Sequence, residues 1–318
     1  EILKNLFSPS DNNFIRHNQY ITINDMLKNA DSDDSKKTFA KIALNLFLQN
    51  PSQDNDFFKR QCNLAKAAVE NGILKADVPK DKDIIAKFLQ KPIAFHIQCE
   101  LAKAAVENGI LKADVPKDKD VITKFLQNPS QNYDIFQIQC NLVKAAFKKG
   151  MLIADEQILK NLFSLSNDNN IGYIQCSTIN VMLGTINADS DDSKKTFAKI
   201  ALNIFLQNPS QDNAFFKIQC NLVEEAFQKG MLIADDEILK KLFSPSDDEN
   251  IRDTQYDSIF YILTSLKDNS DKSQKDFVKV ASNTFLQNPS QYNAFFKIQC
   301  NLAEEAFKKG MLIADDEI

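Results

Sequence analysis

All six cysteines of the chain occupy one position of an internal repeat. Cys62, Cys99, Cys140, Cys176, Cys220 and Cys300 each directly follow a glutamine, within the phrase Ile-Gln-Cys-Asn-Leu or a near variant. Two further copies read Gln19-Tyr20 and Gln255-Tyr256, with tyrosine in the cysteine slot. Eight copies separated by 36 to 44 residues make a tandem array. Such an array folds by stacking each unit on its neighbours, not around one globular core.

The units are helical hairpins. In Phe215 to Lys229, the residues Phe216, Cys220, Val223 and Phe227 recur at helical spacing, and Phe215, Ile218, Leu222 and Ala226 form an adjoining stripe. Two adjoining stripes give an apolar face wide enough for both a partner helix and the next hairpin. Gly72, Gly109, Gly150, Gly230 and Gly310 each follow such a helix and suit a left-handed cap. The Ala-Asp that follows, as in Ala234-Asp235, offers the cap of the next hairpin. In the longer first helices, Asn50, Asn128, Asn208 and Asn288 each precede a proline, which pushes its predecessor out of the α region and marks a stop.

Two hairpin types mostly alternate. One opens with a short Ile-Leu-Lys-x-Leu-Phe helix, at Ile2, Ile158 and Ile238, and the other with a longer one such as Lys37 to Gln49. Four double units of about 80 residues result, with a looser start, Ile84-Ile-Ala-Lys-Phe-Leu, in the second. Residues 59–86 and 96–123 are nearly one text shifted by 37, and 31–64 recur at 189–222. The shortened linker Lys91-Pro92-Ile93-Ala94 predicts a local change of curvature in the third hairpin. The expected fold is all-α: a right-handed-type α-solenoid of about eight hairpins, continuous over 1–318. Both ends fall at one phase of the repeat, so a segment of a longer array is expected.

Composition narrows the function. A formal charge of −5 gives no general pull towards a polyanion. No run approaches the roughly eighteen apolar residues of a membrane span. Neighbouring packed helices stand roughly 8–10 Å apart, too far for a disulfide ladder. No CxxC or Cys-His pairing suggests zinc, so the cysteine slot is expected to be core and its thiols reduced, as in a cytoplasm. The glutamine before each slot is expected to be a partly exposed structural ladder, bonded to inter-hairpin loops.

Asp31-Ser-Asp-Asp-Ser35 and Asp189-Ser-Asp-Asp-Ser193 begin like a calcium loop, but Lys36 and Lys194 stand where glycine is needed, and Ile42 and Ile200 where an acid closes it. Helix capping is the expected role. His17 and His96 lie in different hairpins, and no catalytic motif is present, so neither an enzyme nor a cofactor or small-molecule site is expected.

What varies is the outward stripe of the second helices. It reads Lys59, Asn63, Lys66; then His96, Glu100, Lys103; then Gln137, Asn141, Lys144; then Lys217, Asn221, Glu224; then Lys297, Asn301, Glu304. Its sign shifts from lysine to glutamate along the chain while the core positions barely change. A concave row of side chains reading a protein or peptide partner is the expected function, against a solvated face or a structural spacer.

These units resemble the HEAT and armadillo class of α-solenoids by length and architecture. The tetratricopeptide pattern of Trp, Leu-Gly and Tyr is absent. The phrase Phe307-Lys-Lys-Gly-Met-Leu-Ile-Ala-Asp315 resembles the end of a pentatricopeptide repeat, and that likeness implies RNA binding as the alternative function.

Overall fold

The computed structural model describes the chain except residues 31–32, 91–92, 153–154, 188, 232–234, 268 and 313–318. Among the described residues there are sixteen α-helices and no strand. They fall into two compact units, Glu1–Ala154 and Asp155–Ile318.

The first unit holds α1 (Ile2–Phe7), α2 (Asn13–Lys28), α3 (Asp34–Phe47), α4 (Asn55–Glu70), α5 (Pro79–Gln90), α6 (Phe95–Glu107), α7 (Pro116–Leu126) and α8 (Tyr133–Lys148). Its even-numbered members form one layer, with α2 on α4, α4 on α6 and α6 on α8, while α1 packs on α3. The second unit holds α9 (Glu156–Phe163), α10 (Asn169–Thr185), α11 (Asp192–Leu206), α12 (Asn213–Gln228), α13 (Asp236–Phe243), α14 (Glu249–Ser265), α15 (Lys272–Leu286) and α16 (Asn293–Lys308). Here α10, α12, α14 and α16 pack in sequence as one layer, and α9, α11, α13 and α15 as another. Contacts between next-but-one helices in each unit are those of a helical repeat array.

Local chemistry sets these boundaries. Asn12, Asp54, Asn132, Asp168, Asp212 and Asp248 each precede a helix and accept a hydrogen bond from its first free amides. At the far end, Gly72 takes φ +64°, a value L side chains resist, and Gly72 N and Ile73 N donate to Val69 O and Ala68 O. The other four repeat glycines adopt the same positive φ. Before each Asn-Pro the helix ends early: α3 stops at Phe47 and α7 at Leu126. Asp33 and Asp191 cap α3 and α11, so these acids of the Asp-Ser-rich segments serve the helix ends. Asp31, like the Lys91-Pro92 linker and Ala234, lies outside the described residues.

The glutamines form the internal lock of each hairpin, and they are buried, not partly exposed. Gln139 Nε2 donates to Phe125 O at 2.9 Å and to Asn128 O at 3.2 Å, while its Oε1 accepts from Ser130 N at 2.8 Å. Gln61, Gln219 and Gln299 repeat this three-bond pattern, as do Gln175 and Gln255 with the turn after the short helices. The partners belong to the turn inside the same hairpin, which corrects the expectation of inter-hairpin loops. The side chain therefore satisfies carbonyls that the end of the first helix leaves open.

The cysteine slot is core in four cases, Cys62, Cys99, Cys140 and Cys220. Cys176 is only half-buried and Cys300 is exposed, so the slot is not uniformly core. Cys220 lies on the face of α12 that α14 covers, and the corresponding face of α16 has no further described helix of this chain upon it. Burial pushes the thiols of Cys62 and Cys99 up to about 12 and that of Cys176 to about 11, which keeps them protonated and unreactive near neutrality.

Candidate partner-binding surface

An internal even-numbered helix such as α4 or α12 packs on the even-numbered helices before and after it and turns a third face to solvent. The outward stripe lies on the third. Asn63, His96, Gln137, Lys217, Asn221, Lys297, Asn301 and Glu304 are exposed, and Lys59, Lys66, Glu100, Lys103, Asn141, Lys144 and Glu224 are half-buried. The fifteen positions thus occupy one register, five residues or fewer from the locked glutamine of their own helix.

The structure brings some of them together. Lys66 Nζ reaches Glu100 Oε2 at 2.7 Å, from α4 to α6. Lys103 pairs with Glu107 at 3.2 Å, Lys59 with Asp56 at 3.4 Å, and Glu304 with Lys308 at 2.8 Å, each within one helix. Glu224 sits beside Ser258 and Asp257 of α14. Burial, the largest cause, together with the Asp257 carboxylate holds its carboxyl above the usual range, against the opposing pull of Ser258 and Lys217.

On three helices of the same layers the sequence reading recognised the repeat but assigned no stripe. On α2 the register holds His17 and Ile21, on α10 Tyr173 and Ser177, and on α14 Asp253 and Asp257. These helices carry Tyr20, Cys176-Ser177 or Tyr256 where the Cys-Asn-Leu phrase is expected, which hid them. Offset from the glutamine was the signal that finds them. With them included, the register of the first unit carries Lys28, Lys59, Lys66, Lys103, Lys144 and Lys148 together with Glu70, Glu100 and Glu107. That of the second carries Lys217, Lys297 and Lys308 together with Glu224, Asp253, Asp257 and Glu304.

A second repeated feature lies at the N-terminal end of this register. Arg16 of α2 covers the ring of Phe57 at 4.6 Å, and Arg252 of α14 covers Phe295 at 4.4 Å. The same slot of α10 is Gly172, where a Cβ would meet the Phe215 ring at 2.6 Å. Phe215 enters the vacated space and packs on Tyr173 at 5.3 Å. The guanidinium–ring contact is an alternative to close aromatic packing at one site of the repeat. Arg60 donates to His17 Nδ1 at 2.8 Å, which places the proton of neutral His17 on Nε2, since arginine cannot accept.

Among the described residues no group of three His, Cys, Asp or Glu side chains is placed to hold a metal ion, and no helix is long and apolar enough to cross a membrane. A cleft of about 600 Å³ beside α12 and the α14–α15 turn is lined by Phe227, Gln228, Ser265, Lys267 and Gln274 among others, an amide and hydroxyl surface with one ammonium. No family model matches this chain, and no curated protein is significantly similar to it.

Proposed function

We propose that the chain is a non-enzymatic helical-repeat scaffold that binds a protein or peptide along the exposed register of its even-numbered helices. The observation that carries this reading is the contrast within each helix. The glutamine lock, the glycine cap and the apolar faces repeat, while the solvent-facing positions change chemistry from helix to helix. A surface serving only solubility has no need of a continuous layer, and here successive helices set their variable positions side by side.

In this reading the eight hairpins group into four double units of a right-handed solenoid, with the even-numbered helices on the concave side. A concave layer has its helices closer together than the convex one. In the first unit the even-numbered helices pack in an unbroken series, which supports that placement. Cysteines that form no disulfide suit a reducing compartment, and a cytoplasmic site of action is part of the proposal. Two lysines of the first unit are already neutralised by Glu100 and Glu107, which favours a mixed-charge polypeptide over RNA.

A display library of extended peptides tests the reading. Enrichment of peptides with an acidic block and a basic block is expected, because charge complementarity sets register and partner choice. Steep, salt-sensitive retention of oligo-RNA without peptide enrichment would move the assignment to RNA binding. Absence of both would leave a spacer.

A further inference from the structure

Within each unit, consecutive even-numbered helices meet across the register at a fixed offset. The residue five positions after the locked glutamine stands opposite the residue two positions after the glutamine of the next helix, as Lys66 does to Glu100 at 2.7 Å. Elsewhere this crossing pairs neutral groups, such as Asn180 with Asn221, or sets one charge against a neutral group, as Lys103 against Asn141. Between α12 and α14 it sets Glu224 against Asp257, the one crossing within either unit that opposes like charges. In the first unit Lys66 supplies a cation from the chain itself. Here Lys217 acts on Glu224 from two turns away, and the nearer Lys229 is taken by Glu225 at 3.8 Å.

Neutral groups stitch the seam on either side of these acids. Towards the start of the helices Thr254 Oγ1 donates to Asn213 at 3.2 Å, and one turn beyond the acids Gln228 Nε2 donates to the Tyr261 hydroxyl. The second bond fixes the Tyr261 ring, which is 41% exposed and follows Asp257 by four residues on the same face of α14. Beneath the acids lies Ser258, 1% exposed, whose hydroxyl faces Glu224 and is in hydrogen-bond geometry with no described residue. Burial first, and then the Asp257 carboxylate, hold Glu224 above the usual range, as expected of two acids that share no cation. A buried hydroxyl left open and two carboxylates left unneutralised both cost stability, and one bound cation relieves both.

We infer that the seam between α12 and α14 is a receptor for one arginine side chain of the bound polypeptide, with Glu224 and Asp257 as its carboxylate partners and the Tyr261 ring as the surface on which the guanidinium stacks. The inference deepens the scaffold reading and rests on it for the source of the arginine. A guanidinium carries donors along two edges and has a flat, weakly hydrated face, so it serves carboxylates on two helices while lying on a ring. A lysine ammonium is a compact, strongly hydrated point charge, less suited to a half-buried acid beside an aromatic face. Calcium takes roughly six to eight oxygens, more than two carboxylates and a hydroxyl provide. With the guanidinium in place Glu224 is held ionised, and the Ser258 hydroxyl has a full carboxylate to donate to.

Titration with N-acetyl-arginine amide tests the receptor apart from any polypeptide. The chain has six tyrosines, so isotopic labelling of their rings resolves Tyr261 by NMR, assigned through Tyr261→Phe. A saturable shift of Tyr261 is expected, with the exposed rings of Tyr133, Tyr173 and Tyr292 unmoved. N-acetyl-citrulline amide, the uncharged counterpart, is expected to give no shift, and N-acetyl-lysine amide to bind about tenfold more weakly, the loss of one charge-assisted hydrogen bond. Glu224→Gln is expected to weaken the arginine probe by a similar factor. Asp257→Lys, which closes the seam as Lys66 closes its own, is expected to abolish the shift. A Tyr261 ring unmoved by the arginine probe overturns the inference. So does an equal response to lysine or citrulline, and so does a response undiminished in Asp257→Lys. Probe binding by a chain that enriches no peptide would sink the scaffold reading and leave the receptor standing. Enrichment of peptides without arginine, with Tyr261 unmoved, would sink the receptor alone.

Discussion

The units 1–154 and 155–318 are written in the same repeat but begin their hairpins differently. Both use a glycine-capped helix followed by a short link ending in Ala-Asp. In the second unit that aspartate is the cap itself: Asp155 and Asp235 accept from the first amides of α9 and α13, and they are exposed. In the first unit Asp77 and Asp114 hold the same place, but Val-Pro follows and the helix begins at the proline, three residues longer in α7 than in α9. The extra turn brings Asp81 and Asp118 inward. Asp81 accepts from Lys75 N at 2.9 Å and from Lys41 Nζ of α3 at 2.6 Å. Asp118 repeats both bonds with Lys112 N and with Lys82 of α5, at 2.9 and 2.8 Å. Where the second unit has a cap that serves only its own helix, the first has a further, buried carboxylate that ties one hairpin to the one before.

The energetic difference follows from burial. The Asp81 side chain is 1% exposed and its lysine 26%, so removing the acid strands a partly buried ammonium and a backbone amide. Asp81→Ala is expected to destabilise by about 3 kcal/mol, the low end for breaking a buried pair because the lysine retains some water. Asp155→Ala, an exposed cap, is expected to cost about 1 kcal/mol. Urea unfolding of the two variants checks the ratio, and equal losses would abolish the distinction between the two ways of starting a hairpin.

What the two units share is the glutamine lock. Gln139→Leu leaves Phe125 O, Asn128 O and Ser130 N without their partner, and about 2 kcal/mol is expected from orphaned groups that water partly recovers. The same change at Gln255, in a hairpin with a short first helix, should cost a similar amount. A loss confined to one hairpin type would show that the lock matters only where the first helix is long.

These contrasts also show what a sequence of this kind discloses. Repetition made the helices, the glycine stops and the importance of the glutamine legible, because each recurs at fixed offset. The glutamine's partners were not legible, since one offset suits a turn in its own hairpin as well as one in the next. Asp81 and Asp118 sit in Lys-Asp-Lys-Asp, which has the look of a solvated charge run. Only the position of Lys41 and Lys82 on the preceding hairpin makes those acids inward. Cys300 misled because a slot's burial depends on what covers it, not on the slot's own text. The stripe was legible where the Cys-Asn phrase persists and hidden on α2, α10 and α14, where it does not.

The two units differ again where neighbouring even-numbered helices meet. Lys66 finds Glu100 across α4 and α6, whereas Glu224 meets Ser258 and Asp257 across α12 and α14. A carboxyl held above its ordinary pKa favours its protonated form in the folded chain. Its stabilising contribution is therefore full below the unfolded value and is lost as pH rises through the folded one. Glu224→Gln is expected to stabilise the protein at pH 7 and to lose that advantage as pH falls towards 4. Thermal unfolding across this range checks the sign, and a variant less stable than the parent at pH 7 would refute it.

The smallest effect on folding, and the largest on recognition, is expected from the outer charges. Glu224 is excluded from that set because its half-buried carboxyl faces α14. Lys103→Glu with Lys144→Glu reverses the sign of the first unit's row, and Asp253→Lys with Glu304→Lys that of the second. Each change should alter stability by no more than about 0.5 kcal/mol, since none removes a buried partner. Peptides selected on the parent chain are expected to associate more slowly with either variant, with the dissociation rate changed less, because rim charges act chiefly on encounter. Combining both pairs should shift selection towards peptides with the order of charge blocks reversed. If selection and association rates stay the same in all three variants, the rows are merely solvated faces, and the difference between the two units is one of internal stitching alone.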